Sequence, residues 1–512
     1  MMEKKERHTF KRLFYGRTII ILLSLLLQIA LILALMFRFL ERIPALFGGV
    51  VVFTAVMLAV ILNTRDNPTV KLSWCILVAV MPVFGMVLYL FFRLDIGHRV
   101  EQKLLRKTQE ETRSYTAAGE EFMEKLRRED RNFYNTAYYL QKNGFPVCGN
   151  TNVQYFPLGE DKFRQMLVEL EQAEKFIFLE YFIISPSYMW DRILEILKRK
   201  AAMGVEVRVL YDGSNAVTNL PYDYPKQMAR FGIRCKMFSP FRPFVSTHYN
   251  NRDHRKILVI DGKVAFTGGI NIQDRYINRK QVFGHWKDTA VMLRGDAARS
   301  FTLMFLQMWN ATEREHIYDP YLEIAESVPA SGLVIPYGDS PLDDERVGEM
   351  VYFNMINQAK EYVYIMTPYL IMDNEMVTAL RFAAMRGVDV RIVVPHIPDK
   401  KAVFLLTRSH YAELLDAGVK IYEYTPGFVH AKVFLCDDIQ AVVGTINLDY
   451  RSLYHHFECA AYLYRVDALA DIKVDFQNTM EKSQQVSADD GKRRSFLTGL
   501  LTGILKIAAP LV

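Results

Sequence analysis

Two stretches, HRKILVIDGKVAFTGGIN and HAKVFLCDDIQAVVGTIN, carry the same polar residues at the same intervals. The first holds His254, Lys256, Asp261, Gly268, Gly269 and Asn271. The second holds His430, Lys432, Asp437, Gly444, Thr445 and Asn447. With 11 histidines in the chain, one His-Lys-Asp set at this spacing arises by chance about 0.04 times at average residue usage. Two sets with matching Gly and Asn exclude coincidence. The residue types suit phosphoryl transfer through a covalent intermediate. One imidazole attacks phosphorus, and a second protonates the departing oxygen. Two motifs facing one another supply both. Lys256 and Lys432 neutralise the equatorial oxygens, a task elsewhere given to Mg²⁺. The reading therefore calls for no metal and no cofactor.

The spacing also specifies local structure. Asp261-Gly262 between ILVI and AFT is a hairpin signal. Residues two apart on a strand share a face, so His254 and Lys256 can reach one phosphate together. The glycines let backbone approach closely, and Asn271 and Asn447 can donate amide hydrogens to phosphate oxygens.

The elements around the motifs are themselves repeated. AEKFIFLEYFII (173–184) matches KEYVYIMTPYLI (360–371), AAMGVEVRVL (201–210) matches AAMRGVDVRIV (383–393), and GIRCKMF (232–238) matches GVKIYEY (418–424), in the same order. Each half alternates helix with short β-branched strands. This predicts α/β units over a mostly parallel sheet, built as two similar lobes, 140–320 and 321–482.

The first 98 residues read as a membrane region. Segments 18–36, 44–62 and 72–92 are uncharged and close to the length of a spanning helix. Basic residues precede the first (Lys4, Lys5, Arg7, Lys11, Arg12, Arg17) and follow the third (Arg93, Arg99, Lys103, Arg106, Lys107). The positive-inside rule puts both flanks in the cytoplasm, which three full spans cannot satisfy, so the side of the catalytic region stays open. Residues 99–139 read as a charged connector. The 483–512 tail carries Lys492, Arg493 and Arg494 before an amphipathic segment, suited either to packing on the protein or to an anionic lipid surface. Phe238, Phe241 and Phe244 fit either acyl chains or lobe packing.

Composition narrows the classes further. The chain is 51% hydrophobic with a net charge of +6, and its mean hydropathy is +0.02. That excludes a disordered protein and is thin for a nucleic-acid binder. Five scattered cysteines predict neither a disulfide framework nor a structural zinc site.

The paired motif resembles the HxKxxxxD signature of the phospholipase D superfamily. Over residues 140–480 the chain is similar to its bacterial cardiolipin synthase branch, through LEYFII, NNRDHRKILVIDG, GGINIQD, HWKDT, TPYLI, GFVHAK, GTINLDYRS and FECA. It departs at Asp253 and Arg275, where the family usually has Asn and Glu, and at Thr445, where it usually has Ser. The resemblance implies two lobes, each a mixed sheet between helices, with one site at their interface. It implies phosphatidyl transfer between two phosphatidylglycerol molecules, giving cardiolipin and glycerol without nucleotide. His254 is then the nucleophile and His430 the acid and later base. It also implies that Asp288 in HWKDT and Glu458 in FECA accept hydrogen bonds from the histidines. Gly269, Asn271, Thr445 and Asn447 support the phosphate. The expected partners are phosphatidylglycerol and anionic lipids, not nucleic acid, in a multi-pass protein of the bacterial cell membrane. The alternative is a membrane-bound phospholipase D or phosphatidylserine synthase using another acceptor.

Overall fold

Each His-Lys-Asp stretch forms a β-hairpin inside its own sheet. The computed structural model describes residues 47–93, 96–116, 119–240, 251–322, 328–487 and 496–511, with Ala30 and Ala34 besides. The first lobe contributes β1 (Thr151–Phe156), β2 (Phe176–Tyr181), β3 (Glu206–Asp212), β4 (Arg234–Phe238), β5 (Arg252–Asp253), β6 (Lys256–Ile260), β7 (Val264–Gly268), β8 (His285–Lys287) and β9 (Ala290–Gly295). The second contributes β10 (Leu333–Asp339), β11 (Tyr362–Met366), β12 (Leu370–Ile371), β13 (Asp389–Pro395), β14 (Lys420–Tyr424) and β15 (Gly427–Val429). It continues through β16 (Val433–Cys436), β17 (Gln440–Gly444), β18 (Leu448–Asp449), β19 (His456–Tyr464) and β20 (Ser483–Gln485).

The two sheets repeat one topology. The first runs β1-β9-β7-β6-β2-β3-β4, and the second runs β10-β19-β17-β16-β11-β13-β14 before adding β20. The duplication read from sequence is thus a duplication of strand order. The sheets are mixed rather than mostly parallel. Along the main path of each sheet, β2-β3-β4 and β11-β13-β14 run parallel and the other neighbours antiparallel. The hairpins impose the antiparallel half, because a short turn can join only antiparallel neighbours. Both turns need left-handed backbone. Asp261 and Gly262 have φ of 53° and 68°, and Asp437 and Asp438 have 54° and 56°. Asp tolerates that region better than most residues with a Cβ.

Two short parallel ladders cross between the lobes. β5 pairs with the start of β19, through Arg252 with His456 and Asp253 with Phe457. β15 pairs with β8, through Gly427 with His285 and Val429 with Lys287. The helix Ala297–Asn310 packs against β6, β7 and β9 on one side and β10 on the other, so one apolar layer serves both lobes. Phe238 belongs to that core, edge-on to Phe457 at 5.4 Å. Phe241 and Phe244 lie outside the described residues.

The connector is more than a linker. Helices Ile96–Glu111, Glu120–Glu129 and Arg131–Lys142 bury Leu105, Leu126 and Phe133 against the lobes.

The membrane region differs from three spans. Segment 18–36 lies outside the described residues apart from Ala30 and Ala34. Among the described residues, no helix is long and apolar enough to cross a membrane. Segment 72–92 breaks at Met81 into helices Pro68–Val80 and Pro82–Arg93. Pro82 offers no N–H to the preceding turn. Gly85 then permits close contact, since a Cβ there would sit 2.8 Å from the Leu77 carbonyl oxygen. Trp74 and Tyr89 meet edge-to-face at 5.3 Å, so the pair folds back as a hairpin. Asn67 caps its first helix through Thr69 N–H and donates to Asp373 and Tyr454 of the second lobe at 3.1 and 2.9 Å. The C-terminal helix Phe496–Ala508 packs on Pro68–Val80 and Lys401–Ser409. It leaves Leu500, Leu501 and Ile504 exposed, as Phe47–Leu62 leaves Val52, Phe53 and Val56.

Candidate functional site

The cross-lobe ladders deliver the two histidines. His254 follows β5, and its N–H donates to the Phe457 carbonyl at 2.9 Å. His430 follows β15, and its N–H donates to the Lys287 carbonyl at 2.7 Å. Each histidine is thereby fixed beside the residue after its partner strand pair, and that residue is an acid. Glu458 accepts from His254 Nδ1 at 2.9 and 3.0 Å. Asp288 accepts from His430 Nδ1 at 2.7 Å. The dyads are exchanged: each histidine is held by the other lobe. A carboxylate on Nδ1–H leaves the Nε2 lone pair available, the logic of an oriented catalytic base.

Burial sets the electrostatics. His254 and His430 are 7% and 8% exposed, and Lys256, Lys432, Asp288 and Glu458 are buried. Burial, reinforced by Lys256, His456 and Lys432, pushes His254 well below the usual imidazole range. Burial and Lys432 bring His430 down to about 3, although Asp288 opposes the shift. Both rings are therefore neutral, as a nucleophile or base must be. Burial lowers Lys256 to about 7 and Lys432 to about 8. Burial raises Glu458, while Lys256 and the Thr445 hydroxyl, which donates to it, favour its anion. The charge of each lysine also bears on the other lobe's histidine.

The lysines fold back onto their own motifs. Lys256 Nζ donates to the His254 carbonyl. Lys432 Nζ donates to the His430 carbonyl and lies 3.0 Å from its Nδ1. Aromatic rings wall the histidines. Phe182 lies edge-on to His254 at 4.9 Å, and Tyr276 and Trp286 pack on His430 at 5.4 and 5.2 Å.

The remaining motif residues are placed differently from the reading. Asp261 and Asp437 are not among the reacting groups. Each sits at the far end of its strand, seven residues and about 23 Å along the extended chain from its histidine. Asp261 accepts from the amides of Glu174, Lys175 and Phe176 at 2.7–2.8 Å. Asp437 does the same for Lys360, Glu361 and Tyr362 at 2.7–2.9 Å. They tie the hairpin to the strand that opens each repeat. Gly269 serves a protein contact rather than a ligand: a Cβ there would lie 2.1 Å from Asp288 Oδ1. Asn271 spends its amide on Tyr276 and Ile183. Asn447 is buried, and among the described residues its Oδ1 has no hydrogen-bond partner. Arg275 lies over the Tyr276 and Trp286 rings, 5.1 Å from each. Asp253 contacts Arg255, which also pairs with Glu180.

Two lobes of one topology, exchanging histidine–acid pairs at a single centre, define a duplicated α/β protein of the phospholipase D-like class. The family model described as "Cardiolipin synthase, PLD-like domain" matches residues 166–309 and 352–480. A second, "Phospholipase_D-nuclease N-terminal", matches residues 52–93. The cardiolipin synthase of Alkalihalophilus pseudofirmus is 36% identical over 88% of this chain and 91% of its own length. That of Halalkalibacterium halodurans is 34% identical over 93% and 94%. An uncharacterized protein of Streptococcus mutans is 52% identical over 88% and 98%. The phosphatidylserine synthase structure from Haemophilus influenzae shares the fold, with a TM-score of 0.56 at 15% identity over 75% and 98% of the two chains. The chain belongs to the cardiolipin synthase family of phospholipase D-like proteins.

Proposed function

We propose that this chain is a membrane-associated cardiolipin synthase, a phosphatidyltransferase moving a phosphatidyl group from one phosphatidylglycerol to another. His254 Nε2 attacks the phosphorus of the donor. The P–O bond to glycerol breaks, and His430 gives that oxygen a proton. The bound phosphodiester anion and Asp288 favour the imidazolium this requires. His430 then takes the proton from a hydroxyl of the second phosphatidylglycerol. That oxygen attacks phosphorus and releases His254, leaving cardiolipin. One phosphodiester is exchanged for another, so no nucleotide is consumed. Lys256 and Lys432 neutralise the non-bridging oxygens.

The observation that carries this reading is the exchanged pairing of His254 with Glu458 and His430 with Asp288. It supplies two oriented bases at one centre, as a two-step exchange needs. Membrane attachment through the N-terminal apolar segments concentrates both lipids at the site. Residues 72–92 fold back as a hairpin instead of forming one span, which removes the three full crossings that the two basic flanks contradict. The test is to supply purified protein with phosphatidylglycerol in mixed micelles and weigh the products. Cardiolipin and glycerol in equal amounts support the reading. Phosphatidic acid as main product indicates the hydrolase, and a requirement for CDP-diacylglycerol removes phosphatidylglycerol as donor.

A further inference from the structure

One buried side chain beside the reacting groups has no hydrogen-bond partner among the described residues. His456 opens β19, two residues before Glu458 and on the same face of the strand. It is 7% exposed, and among the described residues neither ring nitrogen has a hydrogen-bond partner. A buried imidazole unsatisfied at both nitrogens is costly and calls for an explanation. Its Nδ1 lies 3.8 Å from Glu458 Oε1, and its ring centre 5.4 Å from that of His254. Donor atoms of His254, His456 and Glu458 all lie within 4.8 Å of one another. Two imidazoles and a carboxylate with a fourth position open make a donor set familiar from three-ligand zinc sites.

We propose that His254, His456 and Glu458 form an inhibitory site for a transition-metal ion of the Zn²⁺ type. Lys256 and Lys432 oppose any dication here. An ion with strong imidazole affinity overcomes that opposition, whereas Mg²⁺ and Ca²⁺, which prefer oxygen donors, do not. The ion takes the Nδ1 lone pair of His254, so the ring proton moves to Nε2. Glu458 exchanges its hydrogen bond for a metal bond, and His456 gains the partner it lacks. With Nε2 protonated, the nucleophilic lone pair is gone. This loss of activity rests on the role proposed for His254; metal binding itself does not.

The test uses full-length protein in detergent micelles, with Zn²⁺ and Mg²⁺ in activity assays and Co²⁺ as a spectroscopic probe. Micromolar Zn²⁺ lowers turnover at least tenfold, EDTA restores it, and millimolar Mg²⁺ has no such effect. Co²⁺ gives the visible d–d bands of a low-coordinate ion. His456→Asn turns over without metal, needs at least about tenfold more Zn²⁺ for half-inhibition, and loses the Co²⁺ bands. His456→Gln provides a second variant should the first fold poorly. The Co²⁺ spectrum reads the site whatever reaction the protein catalyses, so failure of the metal site and failure of the functional reading are separable. Wild-type protein without Co²⁺ bands, or variants as Zn²⁺-sensitive as wild type, would overturn the proposal.

Discussion

Glu458 Oε1 lies 2.9 Å from Nδ1 of His254, although the two residues stand 204 positions apart on opposite lobes. Asp288 and His430 mirror the arrangement across 142 positions. Neither lobe alone pairs His254 or His430 with its acid, so the active centre exists only when both lobes dock.

The exchanged acids orient the rings rather than bind lipid. Glu458→Gln and Asp288→Asn are therefore expected to lower kcat by about 10²- to 10⁴-fold with KM for phosphatidylglycerol little changed. Steady-state kinetics in mixed micelles check this. A rise in KM alone would assign these acids to lipid binding.

The pH dependence follows from burial. Lys256 and Lys432 titrate at about 7 and about 8 in the free protein. Their ammonium forms neutralise the phosphate, so the fall of kcat/KM with rising pH, to which loss of the His430 proton also contributes, is expected to steepen through that window, well below the ordinary lysine range. On the acid side, burial holds the nucleophile His254 well below the ordinary imidazole range. No loss is expected near the ordinary imidazole value of about 6.5. A pH profile of kcat/KM checks both limbs. In Lys432→Arg, the part of the alkaline fall due to that residue should disappear, because guanidinium does not titrate there.

Asp261 binds three backbone amides and touches no reacting group. Asp261→Ala should cost about 1–3 kcal/mol of stability by leaving those amides unpaired. The folded fraction should keep most of its turnover. Thermal unfolding beside active-site titration separates the two effects. Normal stability with abolished turnover would return Asp261 to the chemistry.

No step of the proposed exchange passes through a metal. Turnover in micelles should survive EDTA, and loss on chelation with recovery on Mg²⁺ would contradict it.

The lobes were legible because the sequence repeats both its strands and its polar spacing. The mixed sheet was not read from periodicity, since burial on both faces makes parallel and antiparallel strands look alike. The motif spacing makes His254, Lys256, His430 and Lys432 legible as candidates, and the fold buries all four. The partnering of their acids across the lobes was invisible, because linear order puts Asp288 after the first histidine and Glu458 after the second. Asp261 and Asp437 looked chemical because they share the motif, yet hairpin geometry sends them to the opposite strand end. His456 carries no spacing signal of its own in HHFECA. The apolar run 72–92 hid its break, since a proline in a hydrophobic segment is compatible with both a kink and a fold-back.

The most direct test of the two-histidine account is to trap the covalent intermediate from a phosphatidyl p-nitrophenol ester, whose leaving group needs no proton. Acid-labile phosphatidyl label should accumulate on His254 in the wild-type chain and in His430→Ala, and be absent in His254→Ala. Label on His430 would exchange the two roles. No label on either histidine, or full turnover in either single variant, would contradict the account.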